Sequence, residues 1–158
     1  MNAHSGQSQL RLERDIHRLV PLSAAMGVRV VRLDCEALEL AAPLERNHNH
    51  AGTGFAGSLF SLGALTGWAY LRHLVREAGL SHRLLLGDAQ VRYHRPVEED
   101  LLAVTGLAEA QRAAFLEPLA GGGRARVDLE IQVLPGPAPG ASLQGRFFAL
   151  PGAARNDP

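Results

Sequence analysis

Hydrophobic positions change period several times along the chain. In residues 10–20, Leu12, Ile16, Leu19 and Val20 recur at helical spacing and Pro21 ends the run, which predicts a short amphipathic helix lying on the body. Residues 28–35 and 37–43 read as two strands joined by a short turn, hence a hairpin. In the first strand the apolar parity switches between Val30 and Val31, which predicts a bulge or burial on both faces. Residues 55–71 then carry no formal charge, and Gly79 follows Arg76 and Glu77. This predicts one long helix over 55–78, apolar nearly all round and therefore buried.

Alternation at period two returns after the helix. Leu85, Ala89, Val91 and Tyr93 share one parity, with Asp88, Gln90 and Arg92 on the other. Leu102, Val104 and Ala108 form a second set. Ala125, Val127, Leu129, Ile131 and Val133 form a third, and Leu143, Gly145, Phe147 and Ala149 a fourth. Gly121-Gly122-Gly123 and the Pro/Gly run at 135–140 are turns between them. Four strands after one buried helix, with a hairpin before it, predict an antiparallel sheet curled around that helix. That is an α+β hotdog fold. Gly57, Ser61, Gly63, Ala64 and Gly67 would let the sheet approach the helix backbone.

At 158 residues the chain makes one domain, expected over 10–150, with residues 1–9 and 151–158 as flexible ends. Sixteen basic and sixteen acidic residues give no net charge, which argues against a nucleic-acid partner or a polybasic membrane anchor. The 55–71 run is shorter than the ~20 residues of a membrane span and includes Ser58, Ser61 and Thr66. A single cysteine, Cys35, rules out an internal disulfide and fits a reducing compartment. With no apolar signal core in residues 1–9, the expectation is a cytoplasmic protein.

The candidate chemistry lies in the loop Asn47-His48-Asn49-His50-Ala51-Gly52-Thr53-Gly54, which runs straight into the long helix. Unpaired backbone N–H groups at a helix start favour developing negative charge, so those of Ala56 or Gly57 could face an oxyanion. Gly57 is either a glycine that lets a ligand pass close to the backbone or one that permits tight packing. Asn49 could be a turn or cap residue, and His50 is either a general base or an ordinary loop histidine. His48 and His50 lack a third ligand for a catalytic metal, so no metal site is expected. Asp88 reads as a solvated strand carboxylate or as one reaching a site at a subunit interface. Arg92, Arg95 and Arg126 are surface arginines or contacts for phosphates. His17, His73, His82 and His94 read as surface or pocket-rim residues joined by no pattern.

Asn49-His50-x-x-Thr53-x-Phe55-x-Gly57-Ser58-Leu59 resembles a thioesterase domain family of the hotdog superfamily, a domain also found fused to GNAT-type acetyltransferases. Ala42-Pro43-Leu44, Thr66-Gly67-Trp68 and Tyr93-His94-Arg95-Pro96-Val97 match the same pattern, so the resemblance covers about residues 22–150. It implies hydrolysis of acyl-CoA or acyl-carrier-protein thioesters by a homodimer, possibly a dimer of dimers, with no cofactor beyond the coenzyme A of the substrate. It further implies Asn49, His50 and Gly57 as catalytic residues. Thr53, Phe55, Ala56, Ser58, Asp88, Tyr93 and Arg95 would contact substrate.

Phenylacetyl-CoA-type thioesterases resemble Asn-x-x-Gly-x-x-His-Gly-Gly-x-x-x-x-Leu-x-Asp. Asn49, Gly52 and Leu62 coincide with that pattern, but Phe55-Ala56-Gly57 replaces His-Gly-Gly and Ala64 replaces the acid. The missing carboxylate leaves a non-catalytic acyl-binding module as the alternative. A hotdog dehydratase is a more distant third reading.

Overall fold

The computed structural model describes residues 3–134 and 136–152. Helix α1 spans Ala3–Leu19, so it takes in most of the segment expected to be a flexible N-terminus. The polar residues before Leu10 give no apolar period to read, yet the helix continues through them. Leu12 and Ile16 are its buried residues. Pro21 does not simply end this helix. It opens a second one, α2 (Pro21–Met26), at a position where a missing N–H costs nothing, and Gly27 closes it with φ 71°.

Strands β1 (Arg29–Leu33) and β2 (Ala37–Ala42) form the expected hairpin. Asp34 Oδ1 accepts the N–H groups of Glu36 and Ala37 in its turn. The parity switch in β1 is a bulge: the register shifts between Val30 and Arg32, and Val31 points out to solvent. A single turn of helix, α3 (Leu44–Asn47), leads into the polar loop.

Helix α4 (Ala56–Glu77) is the long helix that the sequence predicts, and Leu59, Leu62 and Leu65 are buried in it. Burying each such leucine contributes roughly 1.5–3 kcal/mol relative to exposure. Then follow β3 (His82–Tyr93), β4 (Leu101–Gly106), α5 (Glu109–Ala120), β5 (Ala125–Val133) and β6 (Ala141–Pro151). The six strands form one antiparallel sheet in the order β1-β2-β4-β5-β6-β3. It curls around α4, which contacts β2, β4, β5, β6 and β3. Among the described residues no helix is long and apolar enough to cross a membrane.

The inward faces of β5 and β6 are the ones read from the sequence. Those of β3 and β4 are not. In β3 the register shifts between Leu86 and Asp88, so Leu84 and Leu86 turn inward before the bulge and Ala89 and Val91 after it. Leu85 is 49% exposed and does not share a face with Ala89. Gly87 sits at the shift because a β-carbon there would enter the ring of Phe148. In β4 the buried set is Leu101, Ala103 and Thr105, while Leu102 and Val104 are half-buried on the other face. Ala108 lies outside β4 as the N-cap of α5, a helix that the strand reading passed over. Pro151 still pairs with His82 in the sheet, and the rest of the expected C-terminal tail, 153–158, lies outside the described residues.

Glycine lets sheet and helix meet at Gly67, where a β-carbon would stand 2.5 Å from Cζ of the buried Phe147. At Gly63 an added β-carbon would make only ordinary contact with Leu143. Ser61 and Ala64 line a groove beside α2, with Leu86 of β3 also on its wall.

Candidate active site

Loop 47–55 is held by its asparagines. Asn47, 2% exposed, donates from Nδ2 to the carbonyls of Met26 and Pro43, each at 2.8 Å. Its own carbonyl accepts the Phe55 N–H at 2.7 Å, which fixes the residue immediately before α4. Asn49 folds the tip. Its Oδ1 accepts the N–H groups of Ala51 (2.8 Å) and Thr53 (3.2 Å), and its Nδ2 donates to Thr53 Oγ1 (2.9 Å). The backbone N–H of Asn49 donates to Thr53 O at 2.7 Å, and Gly52 supplies the left-handed turn with φ 78°. Gly54 N–H then donates to Val97 O, which ties the loop to the segment after β3.

The residue capping α4 is Phe55, which has no side-chain acceptor. The N–H groups of Ala56, Gly57 and Ser58 therefore meet neither a helix carbonyl nor a capping oxygen. Tyr93 Oη donates to Ala56 O at 2.9 Å and joins the end of β3 to this first turn. A groove of about 360 Å³ opens here, lined by Asn49, Thr53, Ala56, Tyr93, His94 and Arg95, with Leu59 and Val97 at its floor. Arg95 is anchored to Ala138 O at 3.0 Å and to Glu99 at 3.2 Å.

Five of the sequence candidates thus come together: Asn49, Thr53, Ala56, Tyr93 and Arg95. The others do not line this groove. His50 is exposed on the outer turn of the loop. Phe55 is 53% exposed, and its ring lies over Gly57 where a β-carbon would be. The close approach at Gly57 is therefore made by the chain's own aromatic ring and not by the sheet. Ser58 is half-buried. Asp88 is exposed in a different, polar groove on the sheet surface, with Asp128, Glu130 and Arg146. His48 directs Nδ1 at the carbonyl of Asn49, and among the described residues no three metal-ligating side chains gather.

Sequence reasoning passed over Asn47, whose signal was only its place in an Asn-x-Asn pair. His94 lies at the groove's rim, as its sequence reading has it: it is exposed, and its ring Nε2 lies 2.8 Å from Ser142 Oγ.

A second groove, about 310 Å³ and mostly apolar, runs between α2 and α4, with Leu22, Met26, Phe60, Ala64, Trp68 and Leu86 on its walls. Gly57, Ser61, Ala64 and Trp68 follow i, i+4, i+7, i+11 spacing, so the glycine at the helix mouth heads the stripe that forms this wall.

A family model described as "Putative thioesterase (yiiD_Cterm)" matches residues 9–151. The chain belongs to this thioesterase family. It is an enzyme of the hotdog fold that hydrolyses thioester bonds. The crystal structure of a "putative thioesterase from Shewanella oneidensis" is similar at 27% identity and TM-score 0.84, over 92% of this chain and 99% of that one. A protein of unknown function from Chlorobaculum tepidum TLS is similar at 25% identity and TM-score 0.84, over 94% and 97% of the two chains. A Pseudomonas aeruginosa protein shares the fold at 20% identity and TM-score 0.76, over 89% and 94%.

Proposed function

We propose that this thioesterase hydrolyses acyl-CoA or acyl-carrier-protein thioesters at the mouth of α4. The observation that carries the proposal is the uncapped first turn, whose N–H groups at Ala56 and Gly57 can take the oxyanion as the thioester carbonyl becomes tetrahedral. Asn49 keeps those donors in place by closing the loop on Thr53. The acyl chain enters the apolar groove along Phe60, Ala64 and Trp68, and Phe55 turns off Gly57 to admit the carbonyl. Arg95, at the rim, faces the charged end of the coenzyme or carrier, and no cofactor takes part beyond the coenzyme A of the substrate.

We further propose a homodimer, possibly paired again. β3 is an edge strand with Leu85 and Tyr93 exposed, and pairing it with a second copy would cover that edge. A monomeric mass at micromolar concentration removes the dimer from the proposal.

The test is hydrolysis of saturated acyl-CoAs of graded length, followed through released thiol. Turnover well above buffer supports the reading. Ala64, in place of the acid, favours one competitor, a module that binds acyl groups without turning them over. Tight binding of the same panel, with no thiol released from it or from acyl-carrier-protein thioesters, would establish that competitor.

A further inference from the structure

The apolar groove between α2 and α4 has a length that can be read and a closed far end. None of its lining side chains carries a charge, and Ser23 spends its hydroxyl on Val20 O at 2.7 Å. Along α4 the wall runs Ser61, Ala64, Trp68. One turn further on, Arg72 belongs to a separate polar pocket with Arg76 and His82, and its guanidinium sits 5.7 Å from the centre of the Trp68 ring. The indole therefore ends the groove with a buried cation against it. Eleven residues separate Gly57 from Trp68, about 16 Å at the helical rise of ~1.5 Å per residue. Helical side chains lean back toward the N-terminus by up to a turn, which leaves roughly 11 Å before the ring, the extended length of about nine carbons. The volume agrees: at ~30 Å³ for a water-sized group, about 310 Å³ holds about ten methylenes.

We propose that this groove measures the acyl chain, that the preferred substrates are thioesters of straight, saturated chains of about eight to ten carbons, and that Trp68 is the specificity-determining residue. The inference rests on the reading above, in which the thioester carbonyl sits at the Ala56 and Gly57 N–H groups. From there the chain runs down Ser61 and Ala64, small residues that leave room for it, with Phe60, Met26 and Leu86 beside it. Its methyl end meets the indole. Each further methylene leaves water for the groove and should raise kcat/KM about four-fold (~0.8 kcal/mol) until the ring stops the chain. A longer chain has to fold back into solvent or push the indole off Arg72, so the gain ends there.

The test measures kcat/KM for saturated acyl-CoAs of about four to about sixteen carbons, and Kd for the matching S-alkyl-CoA thioethers, which bind but cannot be hydrolysed. Wild type, Trp68→Ala, Trp68→Leu and Ala64→Phe are compared, each with its melting curve. In the wild type both series should climb about four-fold per methylene and break near about ten carbons. Trp68→Ala should move the break out by about four carbons and Trp68→Leu by about two, while Ala64→Phe, one turn nearer the mouth, should draw it in by about four. The break is located within each protein, so a variant of lower overall activity still reports it. Should Trp68→Ala fail to fold, the other two variants decide. A break that stays in place in the variants, or a wild-type series that climbs without a break, overturns the proposal. So does an affinity indifferent to chain length, which would mean that another occupant, a second copy foremost, fills the groove. A wild type that binds the thioethers with the expected break yet hydrolyses no thioester of coenzyme A or carrier protein sinks the catalytic reading and leaves the measuring groove standing.

Discussion

Gly57 and Gly67 lie on the same face-forming helix, and at each an aromatic ring occupies the space of a missing β-carbon. The rings differ in freedom. Phe147, at Gly67, is 0% exposed and clamped between α4 and the sheet, while Phe55, at Gly57, is 53% exposed and covers only its own first turn. One glycine lets a core close, and the other makes room for an exposed ring. The body of α4 is close-packed in the manner of protein interiors, where small volume changes are felt. The mouth is held by a hydrogen-bonded loop, and its one large apolar side chain has solvent to move into.

The largest effect that would break this comparison belongs to the body. Gly67→Val forces three carbons against Phe147 and Ile131, and over-packing of this kind costs about 1–3 kcal/mol or more. We expect a loss of about 3 kcal/mol in chemical denaturation, partly relieved when Phe147→Ala is added, as a double-mutant cycle will report. A loss below ~1 kcal/mol would mean that the body is no tighter than the mouth.

At the mouth, Asn49→Ala removes three side-chain hydrogen bonds from a half-buried loop, for which ~1–3 kcal/mol of stability is expected. Turnover should fall further, by about 10²-fold, as it does when positioned groups drift by an ångström. Steady-state kinetics beside a melting curve separates the two effects.

Acid sharpens the contrast on a smaller scale. Burial lowers the proton affinity of His73, on the body of α4, below its ordinary 6.5 and outweighs the pull of Glu77 and Asp34. The unfolded chain therefore binds this proton first. Stability is level above about pH 6.5, falls as pH drops below that value, and levels again once the folded imidazole is protonated. His73→Leu should remove that dip when denaturation midpoints are compared between about pH 5 and 8.

The smallest stability effect is expected for Gly57→Ala, within about 0.5 kcal/mol, because Phe55 can swing outward. A loss as large as that of Gly67→Val would show Phe55 to be as fixed as Phe147.

Patterns confined to one element were legible in the sequence. The β1 bulge at Val31 appears as two adjacent apolar residues, and the span of α4 appears as its uncharged run. The β3 bulge was hidden because Gly87 has no side chain to reveal a change of face, so Leu85 was grouped with residues that point the other way. Helix α5 was missed because only Phe115 and Leu119 are buried and Pro118 interrupts its period. The same limit applies at the site. Asn49, Thr53 and Ala56 are neighbours in sequence and were readable together. Tyr93 and Ala56 are joined only by the packing of β3 on α4, which no local spacing encodes.

The pairing of β3 with β6 also has a consequence for the order in which the fold closes. In the order β1-β2-β4-β5-β6-β3, strand β3 attaches to the rest of the sheet only through β6, which is synthesised well after it. Such a non-local contact closes late and slowly, since a long loop must be ordered before any pairing compensates. Until β6 is in place, β3 has no neighbouring strand, and only its contacts with α4 and the loop at Gly54 hold Tyr93 near the first turn. A nascent or partly folded chain can therefore bury much of its central helix before this edge of the sheet closes over it.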